Sequence, residues 1–294
     1  MKIGVTGGSG LIGSSLLPSL RAAGHQVVRF VRGAGSGADE RPWDPAARDL
    51  DPGSVEDLDA IVHLAGAGVA DHRWTPAYRA TVLDSRLLGT STVAKAVRHA
   101  GTPVLLSASA VGWYGDTGDR LTDETGPSGT GFLADVCRQW EVATAAAEAG
   151  GSRVAHLRTG IVLSGQGGAL GKQLPIFKAG LGAPLGSGRQ WMSWISLHDE
   201  VAAIVHLLTA DVRGPVNLVA PEPVTNRAFT KTLGSVLHRP TLPLAIPGFV
   251  LTAALGDFAQ EGVLTGQRLV PRVLEDSGFA FTHRDLSSAL RAAL

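Results

Sequence analysis

The run Thr6-Gly7-Gly8-Ser9-Gly10-Leu11-Ile12-Gly13 places glycines at Gly7, Gly10 and Gly13. A loop of this kind does its chemistry through the backbone. Glycines let the main chain approach a pyrophosphate, and the free N–H groups at a helix start point at the anion. Spacing by itself says little, because 38 glycines in 294 residues yield about 0.6 such triplets by chance. Position makes the loop specific: it follows the apolar run Ile3–Thr6 directly and opens a helical pattern at Leu11.

The type of nucleotide is read from the next apolar run. A site for NAD places an acid about 20 residues on, where it binds the ribose 2′-hydroxyl. Here the segment is Val28-Arg29-Phe30-Val31-Arg32-Gly33, and the first acid is Asp39. Arg32 lies 19 residues past Gly13, where a guanidinium can clamp a 2′-phosphate through two hydrogen bonds. The pattern favours NADP(H) over NAD(H). Arg29 reads as a solvated surface arginine or a minor phosphate contact.

Elements must hold these groups in place. Short β-branched runs at Ile3–Thr6, Gln26–Val31, Ala60–Leu64, Val104–Ser107, Arg153–Leu157 and Val216–Val219 lack alternation, as strands covered on both faces do. Helical patterns separate them: Leu11–Ala23, Pro76–Ala100, Phe132–Ala149, His198–Leu208 and Asn226–Leu237. This alternation predicts an α/β, Rossmann-type doubly wound parallel sheet. Pro and Gly concentrate in Gly165–Gly188 and Arg239–Gly248, which read as excursions into a smaller lobe. The expected division is a nucleotide-binding domain over 1–165, completed by a strand and helix near 198–237. A mostly helical lobe over 166–197 and 238–294 completes the chain, with one short strand near Phe279–Phe281.

Composition excludes other classes. Lys+Arg and Asp+Glu are both 26, so no net field draws the chain to nucleic acid or an acidic membrane. The single cysteine, Cys137, excludes an internal disulfide framework and a multi-cysteine zinc site. His198-Asp199 has no third ligand at usable spacing, so no metal is expected; Asp199 reads as a helix cap or a tie to a loop. Met1-Lys2 runs straight into an apolar strand, without a leader pattern. The longest apolar stretch, Leu242 to Leu255, is broken by Pro243 and Pro247. A soluble, cytoplasmic protein is the expectation.

Several segments together resemble a known superfamily. Thr6–Gly13, His63-Leu64-Ala65-Gly66 and Ser107-Ala108-Ser109-Ala110-Val111-Gly112-Trp113-Tyr114-Gly115 resemble the extended short-chain dehydrogenase/reductases. Trp43-Asp44-Pro45, Arg73-Trp74-Thr75, Asp84-Ser85-Arg86, Trp140-Glu141, Arg158-Thr159-Gly160 and Gly186-Ser187-Gly188-Arg189-Gln190 are similar to signatures of an atypical branch. That branch is the nucleoside-diphosphate-sugar epimerases of the NAD(P)-dependent epimerase/dehydratase family with a helical C-terminal domain. The resemblance implies that Gly7, Gly10, Leu11, Ile12 and Gly13 cradle the pyrophosphate and Arg32 meets the 2′-phosphate. It implies that Leu64, Ala65 and Gly66 line the nicotinamide ribose. Ser109 occupies the place of the catalytic serine, which bonds the reacting oxygen of the substrate.

The chain departs from the family at the proton. The superfamily uses a tyrosine with a lysine four residues later, both on one helix face. Only two tyrosines exist: Tyr78 is followed four residues on by Val82, and Tyr114 by Gly118. The helix that should carry the pair reads Phe132-Leu133-Ala134-Asp135-Val136-Cys137, and Arg86 stands where the family has an asparagine. Tyr114, five residues past Ser109, is a replacement donor or a packing aromatic. Asp135, Cys137, Glu141 and Lys172 stay open, Glu141 also as a structural partner for Arg86 or Arg158.

The segment from Gly186 to Asp199 resembles the superfamily's sugar-nucleotide lobe. Arg189 suits an anionic group, and Trp191 or Trp194 suits stacking on a flat or apolar ligand; packing between the lobes is the alternative for all three. The expected function is hydride transfer between the nicotinamide and a sugar-like or other polar alcohol or carbonyl carbon, on a small-molecule substrate such as a sugar nucleotide. The alternative is an NADP(H)-binding sensor or regulatory scaffold that has lost turnover. If the chain pairs as a homodimer, helices 76–100 and 132–149 are the expected face. Leu83, Leu87 and Val93 at helical spacing are explained equally well as core.

Overall fold

The runs rich in β-branched residues become strands because both of their faces are covered. In a computed structural model that describes residues 1–35 and 37–294, β1 (Lys2–Thr6), β2 (Gln26–Arg32), β3 (Glu40–Trp43), β4 (Ala60–His63), β5 (Val104–Ala110) and β6 (Arg153–Thr159) follow in chain order. Short strands β7 (Ile161–Leu163), β8 (Trp191–Met192) and β9 (Trp194–Ser196) come next, then β10 (Gly214–Leu218) and β11 (Val224–Thr225). The main sheet has seven strands in the order β10-β6-β5-β4-β1-β2-β3. β1 runs parallel to β2, with Thr6 opposite Phe30, and to β4, with Thr6 opposite His63. From β1 the chain winds outward to β3 and then returns to β4 on the other side of β1. That reversal is a topological switch point, where α/β sheets bind ligands at the strand C-termini.

One strand of the main sheet was not legible, nor were the short strands β7, β8, β9 and β11 outside it. β3 contains Pro42 yet pairs in parallel with β2, Arg32 opposite Trp43. It lies at the sheet edge, where a proline costs no ladder hydrogen bond on its open side. The strand expected near Phe279–Phe281 does not form. Those two rings meet edge to face with centroids 4.8 Å apart instead.

Helix ends follow their capping residues. α1 (Leu11–Ala22) starts at Gly10 without a side-chain cap and without an acid in its first turn. α2 (Pro76–Ala100) is capped by the Thr75 hydroxyl, which accepts from Tyr78 N at 3.1 Å, and ends at Gly101 with φ 68°. The helix expected over 132–149 is two: α3 (Phe132–Val142) and α4 (Ala145–Ala149). The Thr144 hydroxyl donates to the Glu141 carbonyl at 2.7 Å. A threonine bonding its local backbone in this way competes with continuous helix. α5 (Gly168–Lys178), α6 (Leu197–Thr209), α7 (Asn226–Val236), α8 (Gly248–Leu255), α9 (Arg272–Asp276) and α10 (Leu286–Ala293) complete the chain.

Contacts divide the chain into two compact units. The first comprises Met1–Ser109, Val136–Leu157 and Val201–Val216. Its core packs Val28, Phe30, Trp43, Ile61, Val93 and Leu105. The second comprises Ala110–Asp135, Arg158–Glu200 and Asn217–Leu294, around Leu170, Phe177, Trp194, Phe229 and Leu290. The chain enters this second unit already at Ala110, ahead of residue 165. No helix among the described residues is long and apolar enough to cross a membrane.

Candidate functional site

In the first unit the glycine loop lies at the switch point. Gly7 has φ +69°, and a Cβ there would stand 2.7 Å from the Leu64 carbonyl carbon and 2.8 Å from Ala65 N. A Cβ on Gly13 would stand 2.3 Å from Gly7 O. These two glycines therefore let the turn close and let α1 pack on the loop. Gly10 differs, because a Cβ there meets only Gly7 O, at 3.3 Å. Past that point the first N–H groups of α1 have no partner within the helix. The arrangement fits a pyrophosphate, with the helix dipole favouring the anion.

Three buried side chains fix the Leu64–Gly66 segment beside the loop. Thr6 Oγ1 accepts from Leu64 N at 3.2 Å and Ala65 N at 3.3 Å. Thr6 Oγ1 and His63 Nδ1 are 2.8 Å apart, and His63 Nε2 is 3.1 Å from Thr90 Oγ1. Thr90 Oγ1 also accepts from Trp140 Nε1 at 2.9 Å. Burial depresses the His63 pKa to about 4, so the ring is neutral. The network then places its proton on Nε2 and leaves Nδ1 to accept from Thr6. Nothing in spacing pointed to Thr6, His63 and Thr90 as a set, because they meet only across β1, β4 and α2.

Arg32 is exposed at the end of β2. Arg29 is bound to Glu40 at 3.2 Å, and Asp39 pairs with Arg21 at 3.0 Å. The nearest acid after β2 is therefore engaged elsewhere. Arg86 is buried in α2, donates from Nη1 to Ala67 O at 3.0 Å, and lies over the Trp140 ring at 4.7 Å. It holds the backbone that follows Gly66.

Ser109 is buried near the end of β5, and its hydroxyl donates to Glu141 Oε1 at 2.7 Å. Glu141 Oε2 lies 3.8 Å from His156 Nδ1 on β6. Of the acids weighed on the 132–149 segment, Glu141 is the one brought to the serine. Cys137 is buried.

The second unit holds Tyr114. Its side chain is 2% exposed. The hydroxyl donates to Asn217 Oδ1 at 2.7 Å and accepts from Arg158 Nη1 at 2.9 Å. Burial pushes its pKa up to about 12, against the opposing pull of Arg158. A phenol so engaged keeps its proton, and the geometry gives Tyr114 the packing role. Arg158 also stacks on Trp113 at 3.9 Å.

The expected substrate residues separate. Arg189 and Trp191 line an open cleft of about 240 Å³ together with Asp116, Asp119, Ser187 and Gln190. Trp191 Nε1 donates to Asp119 at 2.8 Å, and Arg268 lies over its ring at 4.3 Å. Trp194 is a correction. It is 0% exposed in the core and donates to Glu222 O at 3.0 Å, so it has no face for a ligand. The two tryptophans belong to different small sheets, Trp191 on β8 beside β11 and Trp194 on β9 beside β7, where residues 194–196 are all buried.

Asp199 ties a loop, accepting from Thr282 N and His283 N, both at 2.9 Å. The cap of α6 is Ser196, whose Oγ accepts from Asp199 N at 3.0 Å. Among the described residues no group of three or more His, Cys, Asp or Glu side chains could hold a metal ion. Sequence reasoning also missed Glu200. It is fully buried, its Oε1 accepts from Thr159 at 2.9 Å, its Oε2 has no partner, and burial raises its pKa to about 8.

Residues 3–219 match the NAD dependent epimerase/dehydratase family, and residues 246–293 match a domain of unknown function, DUF1731. The chain belongs to that epimerase/dehydratase family. It is 48% identical to an epimerase family protein of Mycobacterium bovis over 98% of this chain and 96% of that protein. Its fold superposes on the crystal structure of human epimerase family protein SDR39U1 with NADPH, with TM-score 0.90 and 33% identity over 100% of this chain and 99% of that one. The UDP-glucose 4-epimerase of Thermus thermophilus, solved with NAD, shares the fold at TM-score 0.76 and 20% identity over 100% and 97% of the two chains.

Proposed function

We propose that this chain is an NADP(H)-binding oxidoreductase or epimerase-like enzyme acting on a sugar-like or other polar alcohol or carbonyl compound. The observation that carries the reading is the cradle in the first unit. Gly7 and Gly13 are closed against backbone, Gly10 and the start of α1 stay open, and Arg32 stands exposed where an acid would select NAD. The NADPH in the human relative, at 33% identity, supports the same cofactor. Gly7, Gly10, Leu11, Ile12 and Gly13 would hold the pyrophosphate, Arg32 the 2′-phosphate, and Leu64, Ala65 and Gly66 the nicotinamide ribose.

When bound, the nicotinamide supplies a two-electron acceptor or donor. The chain's own residues do the rest. Ser109 meets the reacting oxygen. Within the second unit, Arg189 and Trp191 are the groups suited to a polar ligand. Proton transfer does not fall to Tyr114, whose hydroxyl is buried between Arg158 and Asn217.

The test is a fluorescence titration with NADPH and NADH on the wild type and Arg32→Ala. A preference for NADPH that Arg32→Ala abolishes is expected, and equal affinity for both nucleotides in the wild type overturns the assignment. Single-turnover oxidation of bound NADPH by a panel of polar carbonyl compounds then separates an enzyme from a sensor. The missing tyrosine–lysine pair favours the sensor as the second reading, and binding without any turnover is its signature.

A further inference from the structure

We propose that Glu141, acting through Ser109, replaces the missing tyrosine–lysine pair as the group that takes up and returns the proton, with His156 set beside its second oxygen. The proposal rests on the reading of Ser109 as the residue at the reacting oxygen.

The hydrogen-bond directions carry it. Ser109 is 4% and Glu141 8% exposed, and the serine hydroxyl donates to Oε1 at 2.7 Å. A hydroxyl has one proton and two lone pairs. With its proton on Glu141, Ser109 presents lone pairs to the substrate, so it accepts from an alcohol rather than donating to a carbonyl. The second row is His156. Thr144 donates its only hydroxyl proton to the Glu141 carbonyl at 2.7 Å, so it accepts from His156 Nε2 at 2.9 Å. That leaves a proton on Nε2, and Nδ1 lies 3.8 Å from Glu141 Oε2. On its far side, His156 Nε2 lies 3.6 Å from Glu148 Oε1, and the Glu148 side chain is 49% exposed. Glu148 is thus the solvent-exposed group beside His156.

The chemistry balances in both directions. In oxidation, the alcohol carbon gives up hydrogen with its bonding pair to the oxidised nicotinamide. The substrate O–H bond breaks, its proton passes to Ser109 Oγ, and the proton of Ser109 passes to Glu141 Oε1. Glu141 holds this proton and gives it up to water after the product leaves. In reduction the same protons run inward, and only a protonated Glu141 lets Ser109 donate to a carbonyl. The titratable group facing Glu141 is His156 from β6, with Glu148 from α4 beyond that ring; Cys137 lies one turn back on α3, and Arg86 from α2 lies over the neighbouring Trp140. The Arg86 guanidinium lies 4.7 Å from the centre of the Trp140 ring.

The first arm of the test needs no cofactor. NMR titration follows the His156 ring and the Glu141 carboxyl carbon in wild type, Ser109→Ala and Glu141→Gln. Glu141→Gln keeps an oxygen for Ser109 and removes only the charge and the proton site. It should lower the proton affinity of His156 about tenfold or more. Ser109→Ala, by deleting a bond to the carboxylate, should raise the Glu141 midpoint. A His156 midpoint unmoved by Glu141→Gln, or a Glu141 midpoint unmoved by Ser109→Ala, overturns the relay. Failure here leaves nucleotide binding intact, whereas failure of NADPH to bind leaves this titration unaffected, so the two readings fail separately.

The second arm is single-turnover oxidation of bound NADPH by the carbonyl panel. Glu141→Gln should slow it about 10²–10⁴-fold with NADPH affinity unchanged, and Glu141→Asp should restore part of the rate. Unslowed oxidation in Glu141→Gln overturns the proposal. If no compound in the panel oxidises NADPH in the wild type, the titration alone decides.

Discussion

Arg158 donates from Nη1 to the Tyr114 hydroxyl at 2.9 Å, while its guanidinium stacks on Trp113 at 3.9 Å. The phenol proton goes to Asn217. This pair converts the one tyrosine near Ser109 in sequence into a fixed internal strut. Tyr114→Phe leaves Arg158 and Asn217 each short of a buried partner, which costs about 1–3 kcal/mol of stability. Urea unfolding reads that loss. NADPH oxidation in the same variant should stay within about twofold of the wild type, far short of the 10²-fold loss expected for a general acid. A loss of that size would return the proton to Tyr114.

Gly13 has no room for a methyl group, because its Cβ would fall 2.3 Å from the backbone oxygen of Gly7. Gly24 has a positive φ of 82° but open space around it. Gly13→Ala should displace the loop and weaken NADPH binding by tenfold or more, on the scale of about 1–3 kcal/mol for overpacking. Gly24→Ala should cost stability through backbone strain and leave NADPH binding as it was. Equal nucleotide affinity in the two variants would remove the loop from the binding site.

Arg32 offers a charge-assisted, two-pronged contact worth about 1.5–3 kcal/mol. Arg32→Ala should weaken NADPH by roughly 10- to 100-fold and leave NADH unchanged. The comparison of the two nucleotides isolates the 2′-phosphate.

Glu200 makes stability fall as pH rises. Its ordinary pKa is 4.5 and burial raises it to about 8 in the folded chain. Between those values the folded state holds a proton that the unfolded state has lost, so each pH unit of rise weakens folding by up to about 1.4 kcal/mol. Below the lower value the effect vanishes, and above the upper it is complete. His63 acts with the opposite sign: its pKa falls to about 4 on folding, so stability drops as pH falls below its ordinary 6.5. The difference between variant and wild type separates the two. Glu200→Gln should gain on the wild type in urea unfolding between pH values near the lower and upper limits. A gain that does not change with pH would mean that Glu200 is ionised in the fold.

Arg189 and Trp194 lie close in sequence and do different work. Trp194→Ala removes a fully buried indole and should cost about 3–5 kcal/mol in urea unfolding. Arg189→Ala, on the exposed cleft, should leave stability and NADPH affinity unchanged and raise KM for any carbonyl compound that is turned over. Unchanged KM would exclude the cleft from substrate binding.

The sequence by itself determined six of the seven strands of the main sheet, the first helix and the glycine turn that joins β1 to α1. Those rest on local rules: β-branched runs, Thr75 and Gly101 as caps, and glycines whose spacing matters only where a strand meets a helix. Arg32 was legible for the same reason, since its place is set by counting along one strand. What the sequence left open at Tyr114, Glu141 and Trp194 was decided by tertiary contact. Ser109 and Glu141 are 32 residues apart, and Tyr114 and Asn217 are 103 apart. No periodicity links such pairs. Which hydroxyl keeps its proton depends on what surrounds it after packing, and Trp191 and Trp194 part company because the chain passes from one small sheet to another between them. The tyrosine count fixed which proton chemistry was absent. The fold decided which group meets Ser109, because a buried serine must bond to something, and here that partner is the Glu141 carboxylate.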